Sequence, residues 1–451
     1  MEGLGFAVEA LVVLGAIIMG TKSSGVGLGI WGGVGVAVLV FVFRLEPGSP
    51  PVDAVLIILT VILAAATMQV AGGIDWMVSV AASAIQNHPK QITFIAPLMS
   101  FLFCVGAGTG NIVYPLLPVI YDVSLRQKIR PSRPLSLTVV VSGVALACSP
   151  VSAAMAAMIT LTDVAPYDFD LVKILSVTIP AALVGLFVTS LIVRRMGPEL
   201  EDDPEYQARL ADGRLTLPEQ GTDGADDEIV IAYTKEGRNA ALAFLVGVAV
   251  IVVFGLFPDL RPDITADGTT TPISVTVIIQ LVMLVVAGVI VLISKPDLDV
   301  VPDSSVFRAG IISAIALFGL AWLTDTFISA WETEIVDTVG GWVSSFEAIF
   351  FLGVLLVAAL TTSQSTATRT IVPIGLASGV SPALISGMWA GAFAGVFALP
   401  TNGSQIAAAN FDATGSTKLG TKLVDHSFFI PMVLLAVTTA LAGAFFAVVF
   451  Y

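Results

Sequence analysis

The chain has 451 residues, 56% hydrophobic and only 12% charged, whereas soluble domains carry about 25% charged residues, so a soluble globular fold is disfavoured from the outset. The formal net charge of −14 is unevenly spread, because residues 196–238 hold twelve acids against four bases. No basic face remains to displace counterions, which excludes nucleic acid as a partner.

Glu2 and Glu9 stand where a signal peptide would carry bases, and no small-residue cleavage site follows. Insertion is therefore expected from the mature helices themselves. A crossing needs roughly 20 apolar residues for about 30 Å of hydrocarbon. In chain order, uncharged stretches of that kind lie at 23–43, 54–74, 174–193, 239–258, 268–294 and 427–451. Two further crossings each carry one acid, Glu9 near 6–20 and Asp325 near 309–330. Cys104 and Cys148 sit in apolar runs and read as small buried hydrophobes, unable to form a disulfide framework or a zinc site. No cofactor is implied.

Three longer uncharged stretches, 91–121, 134–162 and 370–411, contain glycines, prolines and clustered hydroxyls. Residues 91–121 are too long for one helix and too short for two. They read as a re-entrant hairpin with its tip at Gly106-Ala107-Gly108-Thr109-Gly110-Asn111. Residues 343–378 read the same way, with the tip at Thr361-Thr362-Ser363-Gln364-Ser365-Thr366. Non-helical backbone at membrane depth persists only where protein or a water-filled cavity satisfies it, so each tip is a candidate site. The competing reading is an ordinary crossing flexed by glycine.

The distribution of bases favours two hairpins and ten crossings with both termini outside. That arrangement puts 16 of the 20 bases in cytoplasmic loops, among them Arg126, Lys128, Arg130 and Arg133. Treating 91–121 as one crossing would put those four outside.

The halves echo one another. Gly110-Asn111 and Leu117-Pro118 are matched by Ser365-Thr366 and Val372-Pro373. The break Cys148-Ser149-Pro150-Val151-Ser152 is matched by Leu399-Pro400-Thr401-Asn402-Gly403-Ser404. Residues 1–195 and 239–451 then form an inverted-topology repeat, joined by an acidic cytoplasmic linker at 196–238. The linker is expected to be solvated and partly helical around 204–215.

Helix starts carry unpaired N–H groups and partial positive charge, so two tips that meet would suit a dianion. Asn111 and Thr366 are the expected N-caps. The candidate substrate-binding residues are Thr109, Gly110, Asn111, Ser149, Ser152, Ser363, Gln364, Ser365, Thr366, Arg369, Thr401 and Asn402. The alternative is that the polar residues only mend broken helices. Arg369 stands alone between long uncharged stretches, and its planar fork matches a carboxylate. The competing reading is a structural partner of Asp325. The repeat-related position, Tyr114, is uncharged. Asp325 and Glu9 are the candidates for coupling to an ion or proton; Asp325 also reads as a structural partner, and Glu9 as an interfacial residue at a helix start. His88 and His426 form no metal pair.

Several motifs resemble the anaerobic C4-dicarboxylate transporter (Dcu) family. They are Met68-Gln69-Val70-Ala71-Gly72-Gly73-Ile74-Asp75, Gly108-Thr109-Gly110-Asn111, Arg130-Pro131-Ser132-Arg133-Pro134-Leu135-Ser136 and Ser149-Pro150-Val151-Ser152-Ala153-Ala154. Asp325-Thr326-Phe327, Leu399-Pro400-Thr401 and His426-Ser427-Phe428-Phe429-Ile430-Pro431 belong to the same set. The likeness runs in order along almost the whole chain.

The resemblance implies transport of fumarate, succinate, malate or aspartate by antiport or cation-coupled symport in the bacterial cytoplasmic membrane. Through the wider ion-transporter superfamily it also implies a lipid-embedded homodimer with elevator-type scaffold and transport domains. The expected fold is thus an all-α polytopic membrane protein of about ten transmembrane helices plus two re-entrant hairpins.

The chain departs from the family pattern twice, with Arg369 in place of lysine and Asn402-Gly403 in place of tyrosine-proline. The superfamily's sodium-holding Ser-Asn-Thr tips are replaced as well, so sodium coupling does not carry over. Rival readings are a transporter of citrate, gluconate or a neutral amino acid, an intramembrane enzyme, and a sensor partner engaged through the linker. The enzyme lacks any nucleophile–base or metal spacing.

Overall fold

The computed structural model describes the chain except for residues 1, 24, 25, 214, 216–230, 267, 268, 332–347 and 421–423. The first part of the chain forms α1 (Glu2–Ser23), α2 (Gly27–Phe41), α3 (Val52–Val70) and α4 (Gly73–Asn87). These are followed by α5 (Ile92–Ala107), α6 (Val113–Arg126), α7 (Ser132–Ala145), α8 (Ala153–Thr162) and α9 (Leu171–Val193). The linker contributes α10 (Pro204–Ala211). The second part forms α11 (Lys235–Leu256), β1 (Asp263–Ala266), β2 (Thr269–Pro272), α12 (Val275–Ser294) and α13 (Ser305–Ala330). It ends with α14 (Ala348–Thr361), α15 (Gln364–Ala377), α16 (Pro382–Ala392), α17 (Gly403–Phe411) and α18 (Phe429–Phe450).

Among the described residues, seven helices are long and apolar enough to cross a membrane, or eight with a bent pair taken as one span. Their outward faces carry large apolar side chains, such as Leu284, Val285 and Leu292 on α12 and Leu441 and Phe445 on α18. Such faces are stable only against lipid or another protein.

Three expectations are corrected. The stretch 54–74, expected as one crossing, is not a single helix: α3 ends at Val70, the chain turns at Gly72 (φ +82°), and α4 leaves α3 at 72°. One face of α4 buries Met77, Val78, Ala81, Ala82 and Ile85, while Asp75, Ser83 and Asn87 stay exposed. That is the i, i+4 pattern of an amphipathic helix. The stretch 268–294 becomes helical only at Val275, because the β-branched run before it pairs as an antiparallel hairpin, Ile264 with Thr271 and Thr265 with Thr270. Among the described residues the fold is therefore helical with one small two-stranded ribbon.

The linker, third, is not simply solvated. Arg133, itself buried, donates Nε to the Met196 carbonyl (2.8 Å), Nη2 to the Gly197 and Pro198 carbonyls (3.1 and 3.3 Å), and a fork to the Glu199 carboxylate (3.0 and 3.2 Å). Arg130 pairs with the buried Asp203. Arg209 of α10 reaches the Ala413 carbonyl (3.1 Å), and Leu200 and Tyr206 pack with Leu125 and Leu215 in a small separate core. Residues 216–230 of the linker, and residues 343–347 of the stretch expected as the second hairpin, lie outside the described residues.

Packing sorts the helices. One set runs side by side as α1, α2, α13, α3, α12 and α11. In the other, α5 packs on α7, α9 and α16 pack on α18, and α14 packs on α15. Helices α8 and α15 pack on each other and face the first set at α13, with α8 also touching α3. Backbones approach closely where small residues meet: a methyl on Gly29 of α2 would strike the Ile315 carbonyl of α13. Such contacts drive helix association in lipid, where burial alone gives little.

Candidate functional site

Both expected tips are breaks between helices that pack on each other. Helix α5 ends at Gly108 (φ +69°). A side chain there would be strained, and its Cβ would lie 2.6 Å from the Val151 carbonyl oxygen. The chain then extends through Thr109 and re-enters helical geometry at Gly110–Ile112, leading into α6. In the second half, α14 ends at Thr361 and Thr362 takes φ +49°. Ser363 is extended before α15.

The caps are not the expected residues. Thr109 Oγ1 accepts from the Asn111 amide (3.2 Å), and Ser363 Oγ accepts from the Thr366 amide (3.2 Å) and hydroxyl (2.9 Å). A cap must sit outside the helix with extended backbone. Thr109 and Ser363 meet that condition, while Asn111 and Thr366 already lie in helical turns.

The two tips open onto one cavity of about 390 Å³, within the size range of small-molecule sites. Gly108, Thr109, Gly110 and Asn111 come from the first tip, and Thr362, Ser363, Gln364 and Ser365 from the second. Ser152 and Asn402 arrive from the two later breaks, where each caps a helix. Ser152 Oγ accepts from the Met155 amide (3.0 Å), and Asn402 Oδ1 accepts from the Ser404 amide (3.1 Å). Helix α3 contributes an apolar part of the lining, Ile57, Ile58, Val61 and Ile62. No charged side chain lines this cavity among the described residues.

Other expected site residues lie elsewhere. Ser149 is fully buried and accepts from the Val151 amide (3.3 Å). Thr366 is buried against its cap, and Thr401 is exposed outside the cavity. The Glu9 carboxylate, also buried, accepts from the Trp331 indole (2.6 Å). Sequence reasoning passed over Ser142 and Ser313 as cavity residues, since both sit inside helices where no local pattern marks them; Ser404, the last residue of the second break motif, also lines the cavity. Tyr114, noted only as a repeat partner, also lines the cavity, and its hydroxyl occupies the space a side chain at Gly403 would need.

Arg369 does not line the cavity shared by the tips. It lines a second cavity of about 450 Å³, with Thr160, Asp163, Ser274, Thr276 and Asp325. It also borders a crevice shared with Ser313, Ser363 and Thr366. Asp325 forms no ion pair with it; its carboxylate accepts from the Ser49 amide (2.7 Å). Burial pushes the Asp163 carboxyl above the usual range, with the charge of Asp170 adding to the effect.

The two cavities lie end to end along the same helices. On α3 the first meets Ile57 and Val61 and the second Val52 and Asp53; on α13 the first meets Gly310 and Ser313 and the second Leu317 and Ala321.

Residues 5–451 match the family described as anaerobic C4-dicarboxylate membrane transporter. The anaerobic C4-dicarboxylate transporter DcuB of Escherichia coli O6:H1 is 32% identical over 451 residues, covering 99% of each chain. The C4-dicarboxylate transporter DcuA of Wolinella succinogenes is 34% identical, covering 94% of this chain and 95% of its own. The DcuA protein of Escherichia coli K12 is 35% identical with the same coverage. Among solved structures, the YdaH transporter of Alcanivorax borkumensis superposes with a TM-score of 0.57 at 13% identity, covering 98% of both chains, which shows a shared fold. A full-length family match, several relatives above 30% identity and a helical fold with apolar outward faces agree on one assignment: the chain belongs to the anaerobic C4-dicarboxylate membrane transporter family.

Proposed function

We propose that this protein is a secondary transporter of C4-dicarboxylates such as fumarate, succinate, malate and aspartate. It moves them by antiport, cation-coupled symport or both across the bacterial cytoplasmic membrane. The observation that carries this reading is the pair of capped helix starts, at Thr109 and Ser363, lining one uncharged cavity. Each start offers N–H groups and a partial positive charge to an anion. Two starts suit the two carboxylates of one dianion, and the Asn111, Gln364 and Asn402 side chains add donors. The test is counterflow. Proteoliposomes loaded with succinate are expected to take up labelled fumarate without ATP, above protein-free vesicles. Exchange of citrate or gluconate instead of fumarate would assign the site to another organic anion.

The same reading treats 1–195 and 239–451 as inverted repeats whose hairpins enter from opposite faces, with both termini outside. The helix–break–helix units broken at Thr109 and Ser363 support it. Cysteines replacing the exposed Glu201 and Asp259, in a chain lacking Cys104 and Cys148, are expected to react from opposite sides. Labelling of both on intact cells by an impermeant reagent would overturn this topology.

The two packing sets support an elevator motion, in which the second set carries the cavity along α3 and α13, and a homodimer joined through the first set. A monomer in nanodiscs transporting at the full rate would remove the need for the dimer.

A further inference from the structure

We propose that the second cavity is a separate carboxylate-binding site whose anchor is Arg369. The side chain is only 2% exposed. Its Nη2 donates to the Ser313 carbonyl (3.3 Å), while Nε and Nη1 find no acceptor among the described residues. A buried guanidinium with unmet donors is costly in any interior, and more so between membrane helices. A protein carboxylate would normally answer it. Asp325 lines the same cavity, yet its oxygen is committed to the Ser49 amide and no ion pair joins it to Arg369. No described residue supplies the missing acceptors, and the cavity admits one from outside: Arg369 forms part of its lining, as do Thr160, Ser274 and Thr276.

The chemistry selects the ligand class. Three aspartates, Asp53, Asp163 and Asp325, share this lining, but among the described residues no three His, Cys, Asp or Glu groups lie close enough to hold a metal ion. A planar guanidinium with free donors matches a carboxylate in shape and charge. The ligand is therefore a small organic carboxylate entering with one negative end towards Arg369, past the aspartates. The site is distinct from the tip cavity, which Arg369 does not line. It rests on the transport reading only in taking succinate as the probe.

The experiment uses full-length protein in nanodiscs. Labelled succinate is expected to saturate at two molecules per protomer, and saturating succinate is expected to slow thiol labelling of Thr276→Cys at least fivefold. In Arg369→Gln, one class of site should weaken about tenfold or more, the loss of one charge-assisted hydrogen bond, and protection of Thr276→Cys should vanish. Arg369→Lys keeps the charge and should retain part of the protection. One succinate per protomer in the wild type, with counterflow intact, would overturn the second site and leave the transport reading standing. Unchanged protection of Thr276→Cys in a folded Arg369→Gln protein would overturn the role of Arg369. If Arg369→Gln fails to fold, the wild-type stoichiometry and the lysine variant decide.

Discussion

Gly108→Ala is expected to lower succinate–fumarate counterflow by about 100-fold or more while the protein still inserts. Left-handed backbone costs an L-residue roughly 1–2 kcal/mol. The added Cβ would also lie 2.6 Å from the Val151 carbonyl oxygen, a backbone atom that cannot rotate away. Val151 belongs to the break that Ser152 caps, so the tip and the break would be pushed apart together. Each 1.36 kcal/mol added to the transport barrier slows it about tenfold. Gly110→Ala is the matched control, because a Cβ there meets only Ser142 atoms at 3.6–3.8 Å. It should leave the melting temperature within a few degrees of the wild type. Equal exchange rates in Gly108→Ala and the wild type would show that the tip geometry is not critical.

Arg133→Ala should release the linker. The guanidinium holds three backbone carbonyls and the Glu199 carboxylate. Glu199 is 66% exposed, so its ion pair contributes little of the total. The larger loss is a set of charge-assisted bonds to carbonyls, about 2–4 kcal/mol. Opening of residues 196–213 should then rise by about 30-fold or more, read as faster limited proteolysis or faster amide exchange in that segment. Arg133→Lys should recover little, since one ammonium cannot span four acceptors. Exchange rates equal to the wild type in Arg133→Ala would mean that Arg130–Asp203 and the Leu200–Tyr206 core hold the segment alone.

The general plan is legible in the sequence because membrane helices announce themselves by length and apolar composition. The tips are legible because glycines and hydroxyls clustered inside an apolar run weaken a helix at a depth where no water replaces its hydrogen bonds. The true caps lie two and three residues before the expected ones: which hydroxyl caps depends on where the backbone leaves the extended region, and composition does not encode that. Helix α4 is hidden because its buried face is mild, built of Ala81, Ala82 and Ile85 rather than a long apolar block. The docking of the linker is hidden because Arg133 and residues 196–199 meet only in space. Arg369 stands out as a lone charge, but its offset from Thr366 gives a helix face and no depth. It faces the second cavity and the crevice, one turn below the tip.

The end-to-end arrangement of the two cavities has an electrical consequence. On α13 their linings are separated by the step from Ser313 to Leu317, about 6 Å of helix rise, beside the guanidinium of Arg369. A voltage across the bilayer drops where the dielectric is low, and polar cavities on either side concentrate it in that thin layer. Moving one elementary charge through 100 mV takes about 2.3 kcal/mol, so a lone dianion crossing the layer meets about twice that. A one-for-one swap of dianions carries no net charge through it. The concentration ratios at which exchange comes to rest should therefore be the same with and without an imposed potential, while those reached by one-way uptake of a dianion should shift.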